Sequence, residues 1–162
     1  MRAFAFAAGM VLAPALACAA EALPLDELHL PPGFHIAEFA RVPNAREMTL
    51  GTHGTLFVGS MGAGKVYALT PSADGTQADT VRTIAQGLRM PVGVAFKDGA
   101  LYVSVVDRIL RLDAIESQLD VPPTARVVTD KLPPDAAHGW RFIAFGPDGK
   151  LYVPIGAPCN IC

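Results

Sequence analysis

Few side chains in this sequence have the chemistry of a catalytic or binding group. The imidazole of His138 can accept a proton near neutral pH. The guanidinium of Arg46 can bind a carboxylate through two parallel hydrogen bonds. Both residues stand shortly before predicted hairpins, in positions where loops commonly carry function. We therefore take His138 as the candidate base, with a loop histidine of no function as the alternative, and Arg46 as the candidate anion-binding residue.

Other charged candidates receive no chemical role. Arg141 follows His138 by three residues in an extended segment, so its side chain is expected to point away from His138. It is interpreted as a residue of the surface or of the contact between structural repeats, and Arg108 is a further charged candidate. The remaining histidines are expected to be solvated: His29, His35 and His53.

The pair Cys159 and Cys162 admits several interpretations. A thioredoxin-like motif needs a helix after the first cysteine, and no helical pattern follows it. A c-type haem site needs a histidine directly after the second cysteine, and a zinc site needs two further ligands. A local disulfide in an oxidising compartment is the interpretation that we prefer.

Residues 1–20 have the pattern of an export signal. Arg2 gives a positive start, residues 3–16 are apolar, and small residues at 17–20 suit a signal peptidase. A membrane anchor and a lipoprotein acylated at Cys18 are the alternatives. The pattern predicts a periplasmic or secreted protein with no transmembrane anchor after cleavage.

Composition restricts the class of the remaining chain. Residues 21–162 suffice for one compact domain. The formal net charge is −2 and the basic residues are scattered, so no nucleic-acid surface is expected.

An internal repeat indicates the fold. Residues 48–58, 92–103 and 142–153 each read as a hairpin, with a glycine at its tip and a Leu-aromatic-Val second arm. The tip glycines Gly54, Gly99 and Gly149 are 45 and 50 residues apart, the length of one four-stranded propeller blade. The sequence therefore predicts an all-β fold, a β-propeller, over an ordinary sandwich.

Further strands are predicted between the hairpins. They span 65–69 and 80–85 in the first blade, and 108–112 and 125–129 in the second. Residues 34–42 are expected to form a strand that pairs with the last blade and closes the ring, and residues 113–119 to form one or two helical turns. Only the first two to three blades fit in the chain, so residues 21–162 are expected to be an incomplete propeller domain, a fragment.

The run from His138 to Asn160 carries the most specific signal, with FGPDGKLYV at 145–153 followed by a glycine loop. It resembles the glucose/sorbosone dehydrogenase family, which depends on pyrroloquinoline quinone (PQQ), and the chain resembles the N-terminal portion of that family. Residues 30–34 and 108–111 also resemble family signatures. The resemblance implies a six-bladed propeller, a cofactor on its top face near the axis, and His138 as the general base. It further implies calcium, with the metal ligands and most cofactor ligands in later blades, and a weak cofactor-binding role for Arg46.

The implied function is oxidation of an aldose or a sugar aldehyde such as sorbosone, with electrons passed to a respiratory acceptor. The sequence departs from the soluble glucose dehydrogenases at Ala137, where they carry an acidic residue, so another group is expected to orient His138. The chain alone is expected to be inactive. The alternatives are a non-catalytic propeller that binds a peptide or glycan, and a metal-dependent lactonase, for which the candidate rim residues are Asn44 and Asn160.

Overall fold

The computed structural model describes residues 22–161, so the predicted signal peptide and Cys162 lie outside the described residues. The described chain divides into two compact units, the first ending at Ile36 and the second beginning at Ala37. The first contains one 3₁₀ turn, Leu25–Glu27. Neither this turn nor the other short helix in residues 22–161 is long or apolar enough to cross a membrane.

The second unit contains two complete four-stranded antiparallel sheets and the start of a third. The first sheet comprises β1 (Ala45–Leu50), β2 (Leu56–Ser60), β3 (Val66–Pro71) and β4 (Ala78–Ala85). The second comprises β5 (Val94–Lys97), β6 (Ala100–Val105), β7 (Arg108–Leu112) and β8 (Arg126–Thr129). The third hairpin comprises β9 (Ala144–Phe145) and β10 (Leu151–Tyr152). In each sheet the spatial order follows the chain order, as in a propeller blade.

The sheets pack face to face and share an apolar core. Phe57 of the first sheet stacks on Phe96 of the second at 5.7 Å between ring centroids, and Leu101 and Ile115 are fully buried in the same cluster. A second cluster joins the second sheet to the third hairpin, where Ile143 packs with Ile109. Burial of this apolar surface, at about 25 cal/mol per Å², stabilises each sheet against its neighbour. The prediction of an incomplete β-propeller is confirmed.

The hairpin tips explain why the repeat is visible in the sequence. Asp98 and Gly99 have φ values of 51° and 76° and form a two-residue turn between Lys97 and Ala100. Such a turn favours Asp-Gly because both central residues need positive φ. In the first hairpin the N–H of Gly54 donates to Gly51 O at 3.3 Å, and in the third that of Gly149 donates to Gly146 O at 2.9 Å. The first and third tips thus share one loop geometry.

Two expectations about local structure change. The predicted strand at 34–42 is wrong, because no strand occurs there. Instead Phe39, Ala40 and Val42 pack against the apolar face of the first sheet, and the N–H of Ala78 donates to Phe39 O at 2.9 Å. A strand requires a continuous hydrogen-bonded partner, and this segment has one such bond. Of the predicted helical stretch, only Ile115–Ser117 forms a 3₁₀ turn.

Candidate functional site

The antiparallel order sorts the loops onto two rims. The β1–β2, β5–β6 and β9–β10 turns lie on one rim, and the β4–β5 and β8–β9 loops lie on the other. His138 belongs to the β8–β9 loop, and Arg46 lies at the start of β1, at the same rim. His53 belongs to the β1–β2 turn on the opposite rim, where its side chain is 80% exposed and its Nδ1 lies 3.4 Å from Glu116 Oε2. The structure therefore separates His53 from His138.

His138 is held in a defined orientation by the chain that follows the third hairpin. Its Nδ1 lies 2.9 Å from the carbonyl oxygen of Ala157. A carbonyl oxygen only accepts, so Nδ1 donates, and in the neutral ring Nε2 carries the lone pair. A Cβ on Gly156 would overlap the His138 carbonyl oxygen and lie 2.7 Å from the His138 Cβ. Glycine at 156 is therefore what allows the two loops to approach.

A cavity of about 260 Å³ adjoins His138, and Asp135, Arg141 and Ile155 are among its lining residues. The side chain of Arg141 is 2% exposed. It donates to Val106 O at 2.8 and 3.1 Å, to Pro133 O at 2.9 Å and to Pro154 O at 3.3 Å.

The predicted surface position of Arg141 is therefore wrong, and the alternative, a residue between repeats, agrees with these bonds. Its lining of the cavity beside His138 also contradicts the expectation that its side chain points away from that residue. The physical reason is that four backbone carbonyl bonds compensate the burial of the guanidinium. Arg108, by contrast, is engaged by exposed Asp107 at 2.8 Å.

Arg46 lines a second cavity of about 250 Å³ together with Met61, Val92, Trp140 and Phe142. Its Nη2 lies 3.6 Å from Met61 Sδ. Trp140 and Phe142 are 40% and 49% exposed, large values for aromatic rings. The Trp140 ring also meets the His138 ring edge to face, at 5.6 Å between centroids. Trp140 thus connects the two sequence-predicted residues.

Sequence reasoning missed Trp140 and Phe142 as site residues. Both stand within five residues of His138 in the run that was singled out for the histidine. Their aromatic character beside a candidate base was a signal that could have found them, since an exposed aromatic near a cation is a common ligand platform.

Glu47 was also missed. Its Oε2 accepts the N–H of Val94 at 2.9 Å and the N–H of Ile143 at 3.0 Å. Burial of the carboxyl raises its pKa, and the two backbone hydrogen bonds oppose that rise. One side chain of the first sheet thus binds the backbone of the second sheet and of the third hairpin.

Cys159 is disulfide-bonded in the structure. Because Cys162 lies outside the described residues, the pairing of the two cysteines stays a prediction. Within residues 22–161, no group of three or more His, Cys, Asp or Glu side chains comes together to hold a metal ion. The described residues therefore offer no calcium site of that kind.

Comparison with known proteins places the fold. No family model matches the sequence. A protein of Borreliella burgdorferi described as uncharacterised is 27% identical over 146 residues, which cover 83% of this chain and 37% of that protein.

Among solved structures, the PQQ domain of pyranose dehydrogenase from Coprinopsis cinerea, in its holo form, matches with a TM-score of 0.62 at 18% identity, over 73% of this chain and 29% of that chain. A calcium structure of the carbohydrate-active enzyme family AA12 from Trichoderma reesei matches with a TM-score of 0.64 at 21% identity, over 75% of this chain and 32% of that chain. The chain thus spans about a third of the length of the proteins that it matches. The likeness shows the fold: part of a propeller similar to a PQQ domain.

Proposed function

We propose that the protein, in its full-length form, is an exported quinoprotein that oxidises an aldose or a sugar aldehyde such as sorbosone, by hydride transfer to PQQ. The observation that carries the proposal is the meeting of His138 and Arg46 around the exposed ring of Trp140. The printed names of the structural neighbours, a pyranose dehydrogenase PQQ domain and a carbohydrate-active enzyme, support the cofactor and the sugar substrate class.

The residues present fit a planar, multiply carboxylated cofactor in part. Arg46 would bind one carboxylate, and the exposed face of Trp140 would pack against the ring system. When bound, PQQ supplies a two-electron acceptor. No residue cluster among 22–161 fits calcium, so no step is assigned to that metal.

His138 has the geometry of a general base. With Nδ1 donating to Ala157 O, the neutral ring has its acceptor at Nε2, which takes the proton of the sugar hydroxyl as hydride leaves the same carbon. Ala157 thereby takes the orienting role that an acidic residue at 137 would have. Because a carbonyl oxygen stabilises the protonated ring less than a carboxylate does, this arrangement holds the tautomer without adding a negative charge.

The activity belongs to the full-length protein, since the chain spans about a third of its structural neighbours. The proposed partners are a small sugar and an electron acceptor of the respiratory chain, and the proposed location is the periplasm or the exterior. The chain alone is expected to be inactive, because the remaining cofactor ligands belong to later blades.

The proposal is tested by equilibrium dialysis of the full-length protein with PQQ, followed by dye-linked oxidation of a panel of aldoses and sugar aldehydes. We expect saturable binding, which Arg46→Gln weakens by about tenfold through loss of a charged hydrogen bond. Arg108→Gln is the matched control, because Arg108 is paired with Asp107 and lines neither cavity. Absence of PQQ binding would refute the proposal, and binding without oxidation of any sugar would favour a non-catalytic module.

A further inference from the structure

Adjacent residues of β1 serve different parts of the molecule. Arg46 and Glu47 are consecutive in a strand, so their side chains leave on opposite faces. Arg46 lines the cavity shared with Trp140 and Phe142, whereas Glu47 reaches the backbone of the neighbouring sheets. The position of Glu47 therefore fixes β1, and with it Arg46, relative to those sheets.

The Glu47 carboxylate forms a bridge between backbones that do not bond to each other in a ladder. Its Oε2 accepts from Val94 in β5 and from Ile143 just before β9, at 2.9 and 3.0 Å. Within residues 22–161 Glu47 forms no salt bridge, so its bonds to these two N–H groups are what its acceptor atom contributes. Each N–H would otherwise be a buried donor without a partner, at a cost of about 1–3 kcal/mol.

Ser104 provides a second attachment for the same segment. Its Oγ donates to Arg141 O at 2.6 Å and accepts the N–H of Gly93 at 2.9 Å. The backbone is thus held at residue 141 by Ser104 and at residue 143 by Glu47. Between these two points lies Phe142, and Trp140 stands directly before them. The two exposed aromatic rings are therefore carried by a segment that is fixed at both ends of one peptide pair.

We propose that Glu47 is a positioning residue of the cofactor site, which sets the Trp140–Phe142 segment against Arg46 through its bond to the Ile143 N–H. This inference rests on the proposed function and names a residue by which that site is built. Glu47 itself lines neither cavity, so it acts through the backbone that it binds. The property that it needs is a hydrogen-bond acceptor at the carboxylate position, and its charge is dispensable.

The test compares Glu47→Gln, which keeps an acceptor oxygen, with Glu47→Leu, which removes it at similar size, in the full-length protein. Two quantities are measured: the dissociation constant for PQQ, and hydrogen exchange of the segment 138–145 by mass spectrometry. We expect Glu47→Leu to weaken PQQ binding by about tenfold. Exchange should accelerate in 138–145 while that of β2 and β3 is unchanged, and Glu47→Gln should restore both quantities to within about threefold of the original protein.

Glu38→Leu is the matched control, since Glu38 is an exposed carboxylate paired with Arg41. If Glu47→Leu does not fold, Glu47→Asp, whose carboxylate is one methylene short, replaces it with the same expectation. Unchanged exchange in 138–145, or equal damage from Gln and Leu, would overturn the inference. Hydrogen exchange needs no cofactor, so accelerated exchange in a protein that fails to bind PQQ would refute the proposed function and leave the role of Glu47 in placing the segment supported.

Discussion

At the scale of single residues, the hydrogen bond between His138 Nδ1 and Ala157 O determines which ring nitrogen can act as a base. A histidine that donates from Nδ1 to a carbonyl keeps Nε2 as its acceptor without a neighbouring carboxylate. This accounts for an alanine at position 137 beside a candidate base. The edge-to-face contact with Trp140 further restricts the ring.

The cysteine pair gives a prediction at the same scale. We expect Cys159 and Cys162 to be joined in the exported protein, because two thiols this close in an oxidising compartment can form a disulfide. Alkylation of the denatured, unreduced protein and mass spectrometry of the peptide that contains both residues should find neither alkylated. Alkylation of both would show that they are free thiols.

How far the site could be predicted follows from which residues need tertiary information. The type of His138 and its place before a hairpin were visible in the sequence. The burial of Arg141 was not, because its four bonds go to carbonyl groups of three separate segments whose approach no local pattern reveals. Glu47 was missed for the same reason, since its partners Val94 and Ile143 are distant in sequence.

At the scale of strands and turns, the approach of neighbouring inner strands depends on a residue without a side chain. A Cβ on Gly93 would overlap the Arg141 carbonyl oxygen and lie 2.6 Å from Ser104 Oγ. We expect Gly93→Ala to lower the free energy of unfolding by about 1–3 kcal/mol, measured by urea titration of the full-length protein, because the backbone must move apart.

Gly62→Ala is the matched control for Gly93→Ala. Its Cβ would lie 3.0 Å from the side-chain oxygen of Asn44, which can rotate away, so a change within about 0.5 kcal/mol is expected. Equal effects of the two substitutions would show that the close approach at Gly93 does not contribute to stability.

Hairpins were predictable because their turns obey local rules. The Asp98–Gly99 turn needs two residues that tolerate positive φ, and the sequence states this directly. The segment at 34–42 was mistaken for a strand because its apolar residues suit a sheet as well as a face that packs on one. Which of the two forms depends on the partner available, and strand pairing is not encoded locally.

At the scale of the whole molecule, the period of the repeat predicted the propeller, since four short strands and a turn fill the same length in each blade. The described residues form two blades and the first hairpin of a third. The similarity to a PQQ domain extends over 73% of the chain, which agrees with the repeat as the dominant feature of the sequence.

Export is a prediction for the whole chain, because the positive start, the apolar run and the small residues at 17–20 agree. The mature protein should begin near Ala20 or Glu21. N-terminal sequencing of protein from the periplasm or the medium checks this, and a retained Met1 in that material would show that no signal peptide is removed.

The account depends most on His138 as the base, and kinetics of the His138→Asn variant test this most directly. The asparagine amide can still donate to Ala157 O, but it has no acceptor nitrogen in place of Nε2. In the full-length protein loaded with PQQ, kcat for the best sugar should fall by a factor on the order of a hundred or more, while the dissociation constant for PQQ changes by less than about threefold. His53→Asn, on the opposite rim, should leave kcat unchanged. A His138→Asn protein that binds PQQ and keeps near-original dye-linked oxidation would contradict the account.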